Sequence, residues 1–124
     1  EKYKKQFECS NVEVVGFVND IGKYYQLCNI VLSPIFSGAG MKVKVAEALS
    51  YGKVVIGTDF SFIGYEKQDG VTDSFLIKAE ESSDYVKLLS FEYPSYCGRA
   101  KSYFEEHYSS DCNERKISSF LSSL

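Results

Sequence analysis

The chain has 124 residues, 44% of them hydrophobic and 15% aromatic, enough apolar material for one globular domain and too little for two. A formal net charge of -3 without a dense Lys/Arg block argues against nucleic acid as the main partner. No apolar run approaches the roughly 18 residues that a membrane span needs.

Taken in chain order, the charged opening EKYKKQ has neither a cap nor a strand before it, and the only methionine is Met41. This reads as a piece of a longer polypeptide. The runs Val12–Phe17, Ile30–Ser33, Val54–Gly57 and Phe75–Ile77 are short, β-branched or aromatic, and bounded by Asn, Asp, Gly or Ser, which predicts buried parallel strands. Helical stretches alternate with them. Asp20 can cap a helix to about Asn29, Gly40 precedes one to about Tyr51, and Ser82 or Ser83 can cap another carrying Tyr85, Leu88 and Leu89. After Pro94 the spacing of Tyr96, Ala100, Tyr103 and Phe104, then of Ile117, Phe120, Leu121 and Leu124, predicts two closing helices. The alternation implies an α/β fold, a Rossmann-like doubly wound parallel sheet with helices on both faces.

Cys9, Cys28, Cys97 and Cys112 form no C-x-x-C pair and His107 is far from three of them, so zinc-ligand spacing is missing and no metal site is expected. Reduced structural thiols point to the cytoplasm. His107, in EEHYSS at a helix end, reads as structural rather than as a base, and Tyr24 and Tyr25 read as helix packing rather than ligand stacking.

In such sheets ligands sit beyond the carboxyl ends of strands, and the loop Ser33–Gly40 lies at one. Gly38 and Gly40 permit close backbone approach, and the N–H groups of Gly40, Met41 and Lys42 are expected to project unpaired from a first helical turn as an anion cradle. Lys42 adds a positive charge there; the bland alternative is a turn with a solvated lysine. On a helix, Met41, Val45, Ala48 and Leu49 form a core stripe while Val43, Glu47 and Tyr51 lie opposite. An apolar ligand face over Val43 with hydroxyls on Glu47 explains both residues; an ion pair of Glu47 with Lys44 is the other explanation, and the two are compatible. The dinucleotide fingerprint starts with Gly38 and Gly40 and has Asp59 at a suitable distance, but Val43 stands where its third glycine belongs. No Gly-Lys-Ser/Thr follows, so the P-loop fails as well.

The stretch VVGFVNDIGKYYQLCNIVLSPIFSGAGMKVKVAEALSYGKVVIGTD, residues 14–59, with DGV at 69–71, resembles the donor-binding segment of GT-B-fold glycosyltransferases of the retaining group 1, or family 4, type. The resemblance implies that residues 1–124 are part of the C-terminal, nucleotide-sugar-binding domain, without the N-terminal acceptor domain and the first strands of this one. It implies that the backbone at Gly16 and Phe17 meets the base, that Val43 packs on the nucleoside and that Glu47 takes the ribose hydroxyls. Gly38, Ala39, Gly40 and Met41 would line the sugar and diphosphate, with Lys42 near the phosphates. The family's Glu-x7-Glu pair lacks its first member, because Ala39 stands eight residues before Glu47. No catalytic residue is assigned.

No cofactor is expected beyond a nucleotide diphosphate sugar as substrate, and the absence of any Asp-x-Asp leaves a metal-bridged site unsupported. The implied activity is transfer of a sugar to a glycan or lipid-linked glycan acceptor in polysaccharide biosynthesis. The resemblance is compatible with a membrane-peripheral parent, and the isolated chain is expected to be inactive and to self-associate. A non-catalytic nucleotide-binding module and part of a sugar-nucleotide epimerase of similar fold are the alternatives.

Overall fold

The computed structural model describes residues 4–65 and 72–124. The DGV at 69–71 therefore lies outside the described residues. A short helix α1 (Lys4–Phe7) precedes α2 (Ile21–Leu27), which Asp20 caps by accepting a hydrogen bond from Gly22 N at 3.0 Å. Three strands follow, β1 (Ile30–Ser33), β2 (Val54–Gly57) and β3 (Leu76–Lys78), in the spatial order β1-β2-β3. Both pairings are parallel, with Leu32 opposite Ile56 and Ile56 opposite Ile77. The order does not reverse among the described residues.

Every residue of β2 is buried, as a central parallel strand covered on both faces must be. Helix α3 (Val43–Ser50) connects β1 to β2 and places Val45, Ala48 and Leu49 in the core. Its neighbour there is α5 (Gly98–His107), which contributes Ala100 and Tyr103. Phe75 is fully buried against the Tyr103 ring, with centroids 5.3 Å apart. Helix α4 (Ser82–Leu89) follows β3, and α6 (Ser110–Ser122) closes the described chain, capped by Ser109 accepting from Cys112 N. The α/β class, the parallel sheet and the two closing helices are as the sequence predicts. No helix among the described residues is long and apolar enough to cross a membrane.

Four boundaries differ from expectation, the simplest being β3, which runs Leu76–Lys78 instead of Phe75–Ile77. Val12–Phe17 is not a strand: Val12 forms one antiparallel bridge with Cys9, and Gly16 turns the chain at φ +79. Among the described residues the run has no strand beside it, and Phe17 stays exposed. The helix expected after Gly40 starts at Val43, because Lys42 is extended and acts as its N-cap without a side-chain bond. Met41 consequently falls outside the helix and half out of the core stripe assigned to it. Helix α4 is capped not by Ser82 or Ser83 but from Glu81, whose N–H donates to Asp84 Oδ2 at 3.0 Å. Two such bonds, from Glu81 and Glu80, hold the Asp84 carboxyl below its usual range.

Candidate functional site

The loop between β1 and α3 is fixed at its root by buried hydroxyls. Thr58 and Ser61 are both fully buried just after β2, with their hydroxyl oxygens 3.0 Å apart. Thr58 donates to the Ile35 carbonyl and Ser61 to the Ser33 carbonyl, while Ile35 N donates to Ser61 Oγ at 3.3 Å. Buried backbone groups left without partners are costly, so this network ties the departing chain to the end of β2. Pro34, with no N–H to satisfy, fits between the two tied residues.

Beyond this root the backbone is bare. Gly38 and Gly40 have φ of +117 and +69, and a Cβ at either would meet no heavy atom within 4 Å. These glycines are required by conformation and not by crowding from the protein, and they leave peptide groups open to close approach. The loop's far end is held again. Tyr65 donates its hydroxyl to the Lys42 carbonyl at 2.8 Å, and burial pushes that phenol up to about 12. Met41 rests on Gly64, where a Cβ would lie 2.3 Å from Met41 Cγ.

The amides expected at Gly40, Met41 and Lys42 do not belong to the first turn of α3. That turn begins at Val43, and Val45 N already donates to the Lys42 carbonyl at 2.9 Å. The positive end of the helix therefore lies at the Val43 and Lys44 N–H groups, just past the glycine loop. Lys42 stands beside them, but its Nζ folds back to donate to Gly40 O at 2.6 Å and Ala39 O at 3.4 Å. It also lies 4.6 Å from the centre of the Phe60 ring. The cation is thus parked on its own loop by interactions worth about 0.5–1 kcal/mol each at an exposed site, weak enough to exchange for an anion.

Glu47 is half-buried in the middle of α3. Its Oε2 accepts from Lys44 Nζ at 2.8 Å, the expected ion pair, and also from the Tyr25 hydroxyl at 3.1 Å. Tyr25 is buried and stacks on Tyr51, with centroids 4.9 Å apart and planes 8° from parallel. Burial first, and then the charge of Glu47, raises the Tyr25 hydroxyl far above its ordinary value, so it stays a donor at any working pH. The Tyr25 contact was invisible in the sequence, since the two residues are 22 apart on different helices. Packing, rather than sugar stacking, is the role of Tyr25's ring.

Val43 and Phe17 are 75% and 92% exposed, large apolar side chains left on the surface. No hydrogen bond joins Gly16 or Phe17 to the loop or to α3 among the described residues. Asp59, the acid considered for a dinucleotide ribose, is instead bound to Lys78 at the end of β3, while its N–H donates to Glu80 at 2.7 Å. His107 packs its ring 4.7 Å from that of Tyr103 at the end of α5.

Residues 1–90 match the model of a protein family described as Glycosyl transferases group 1. No curated protein and no solved structure matches the chain.

Proposed function

The chain belongs to the group 1 glycosyl transferases, and from that premise we propose that it binds the nucleotide-sugar donor in a two-domain, GT-B-type enzyme resembling the retaining family 4. The reaction is transfer of the sugar from a nucleoside diphosphate sugar to a glycan or lipid-linked glycan. The single observation that carries this reading beyond the family match is the sequence of features from the bare glycine loop into α3. Open backbone, the helix's positive end, a cation and a half-buried carboxylate follow one another within ten residues, Gly38 to Glu47.

Breaking the bond between the sugar's anomeric carbon and the diphosphate leaves charge on the departing phosphate oxygens. Val43 and Lys44 N–H at the helix start, with Lys42 swung from the Gly40 carbonyl, are suited to stabilise that charge. Gly38, Ala39, Gly40 and Met41 would line the sugar and diphosphate. Glu47 would accept from the ribose diol, Val43 would lie under the nucleoside, and the backbone at Gly16 and Phe17 would meet the base. Ala39 offers no carboxylate to the sugar, which leaves recognition there to loop peptide groups and to other residues of the protein.

The full-length protein, supplied with a panel of nucleoside diphosphate sugars and glycan acceptors, tests this. Release of nucleoside diphosphate matched by sugar on the acceptor is the expected result. Conversion of the sugar to its epimer, or retention of the nucleotide sugar without turnover, would contradict it in favour of an epimerase or a binding module.

A further inference from the structure

We propose that Tyr25 is a positioning residue for the donor site, holding one oxygen of the Glu47 carboxylate so that the other is left for the ribose diol. The inference rests on the reading of Glu47 as the ribose acceptor. Both protein donors, the Tyr25 hydroxyl at 3.1 Å and Lys44 Nζ at 2.8 Å, sit on Oε2. Among the described residues Oε1 has no hydrogen-bond partner. An ionised carboxylate has about four acceptor positions, so this arrangement leaves at least the two of Oε1 for a pair of vicinal hydroxyls.

The two donors are unequal. The Lys44 side chain is 68% exposed, and an exposed lysine holds a single geometry only at an entropic cost that offsets most of the ion pair. Tyr25, by contrast, is buried. Its ring is stacked on Tyr51, which ends α3, and its helix is locked against the same residue: a Cβ on Gly22 would lie 2.8 Å from the Tyr51 hydroxyl. The Asp20 cap sets where that helix begins. A rigid phenol with one proton to give therefore determines which oxygen of Glu47 is turned inward, and the lysine follows. Preorganising an acceptor before the ligand arrives removes the ordering cost from the binding step.

The test compares ADP, GDP, CDP and UDP with the 2′,3′-dideoxy form of the tightest binder, by calorimetry on the full-length protein. Tyr25→Phe keeps the ring and its stack but removes the hydroxyl. The preference for the ribonucleotide over its dideoxy analogue should fall by about three- to tenfold, with dideoxy affinity unchanged. Lys44→Ala should leave the preference intact. An equal loss of affinity for both ligands in Tyr25→Phe, or no loss in a folded Tyr25→Phe protein, overturns the proposal. If Tyr25→Phe does not fold, the lysine arm still decides, because a preference abolished by Lys44→Ala makes the lysine the orienting group. Glu47→Gln separates the two levels: a preference lost there but kept in Tyr25→Phe sinks only the role of Tyr25. A preference unaffected by Glu47→Gln sinks the ribose reading itself.

Discussion

The Tyr25 hydroxyl and the Glu47 carboxylate meet at 3.1 Å across two helices, and the Lys44 ammonium shares the same oxygen. A buried donor and an exposed one on a single acceptor are expected to differ in what they contribute.

The exposed partner should matter little to stability. Lys44→Ala removes an i,i+3 pair on the surface of α3 and should lower unfolding free energy by about 0.2–0.5 kcal/mol in urea denaturation. A loss above about 1 kcal/mol would mean that the lysine, not Tyr25, anchors the carboxylate.

Gly40→Ala asks for a left-handed backbone from a residue that disfavours it, at φ +69. Since the added methyl meets no protein atom, the expected destabilisation is that of the conformation alone, about 1–2 kcal/mol. Nucleoside diphosphate binding, measured by calorimetry, should weaken by more than tenfold if the loop backbone approaches the diphosphate. Unchanged binding would remove the loop from the site.

Features with a local cause are legible in the sequence, and those that depend on tertiary packing are not. Ile30–Ser33 and Val54–Gly57 emerged with the boundaries expected, because a short β-branched run bounded by polar residues and Gly carries its own signal. Val12–Phe17 carries the same signal and fails, since strand formation needs a neighbour and none is described beside it. The sequence starts α3 too early because no Ser, Thr, Asp or Asn marks its true beginning; Lys42 serves as N-cap with its backbone alone. The Lys44–Glu47 pair, one helical turn long, was legible. The Tyr25–Glu47 bond and the fold-back of Lys42 onto Gly40 were not, because each depends on where tertiary packing puts a side chain.

Ser61→Ala should show that the loop root is a structural device. The change removes the donor to the Ser33 carbonyl and the acceptor for Ile35 N, in a residue that is fully buried. Stability should fall by about 1–3 kcal/mol in urea denaturation. A loss under about 0.5 kcal/mol would show that the β1 to α3 loop is held some other way.

The Asp84 carboxyl is held below its usual range by backbone N–H groups of Glu81 and Glu80, so its contribution has a defined sign. A depressed folded-state value stabilises above the unfolded-state value and is lost as pH falls through the folded one. The difference in melting temperature between wild type and Asp84→Asn should be constant near neutral pH and should shrink below the usual carboxylate range. A difference that grows with acidity would contradict the cap.

The most direct test of the donor-site reading is the affinity of full-length Glu47→Gln for a nucleoside diphosphate and its 2′,3′-dideoxy analogue, with thermal melting in parallel. Glutamine keeps the shape of the side chain but gives up the charge that makes the bonds to the diol strong. The ribonucleotide should bind about ten- to a hundredfold more weakly, matching a loss of about 1.5–3 kcal/mol, while the dideoxy analogue binds as before. Equal affinities of wild type and Glu47→Gln for the ribonucleotide, with the protein folded, would contradict the account.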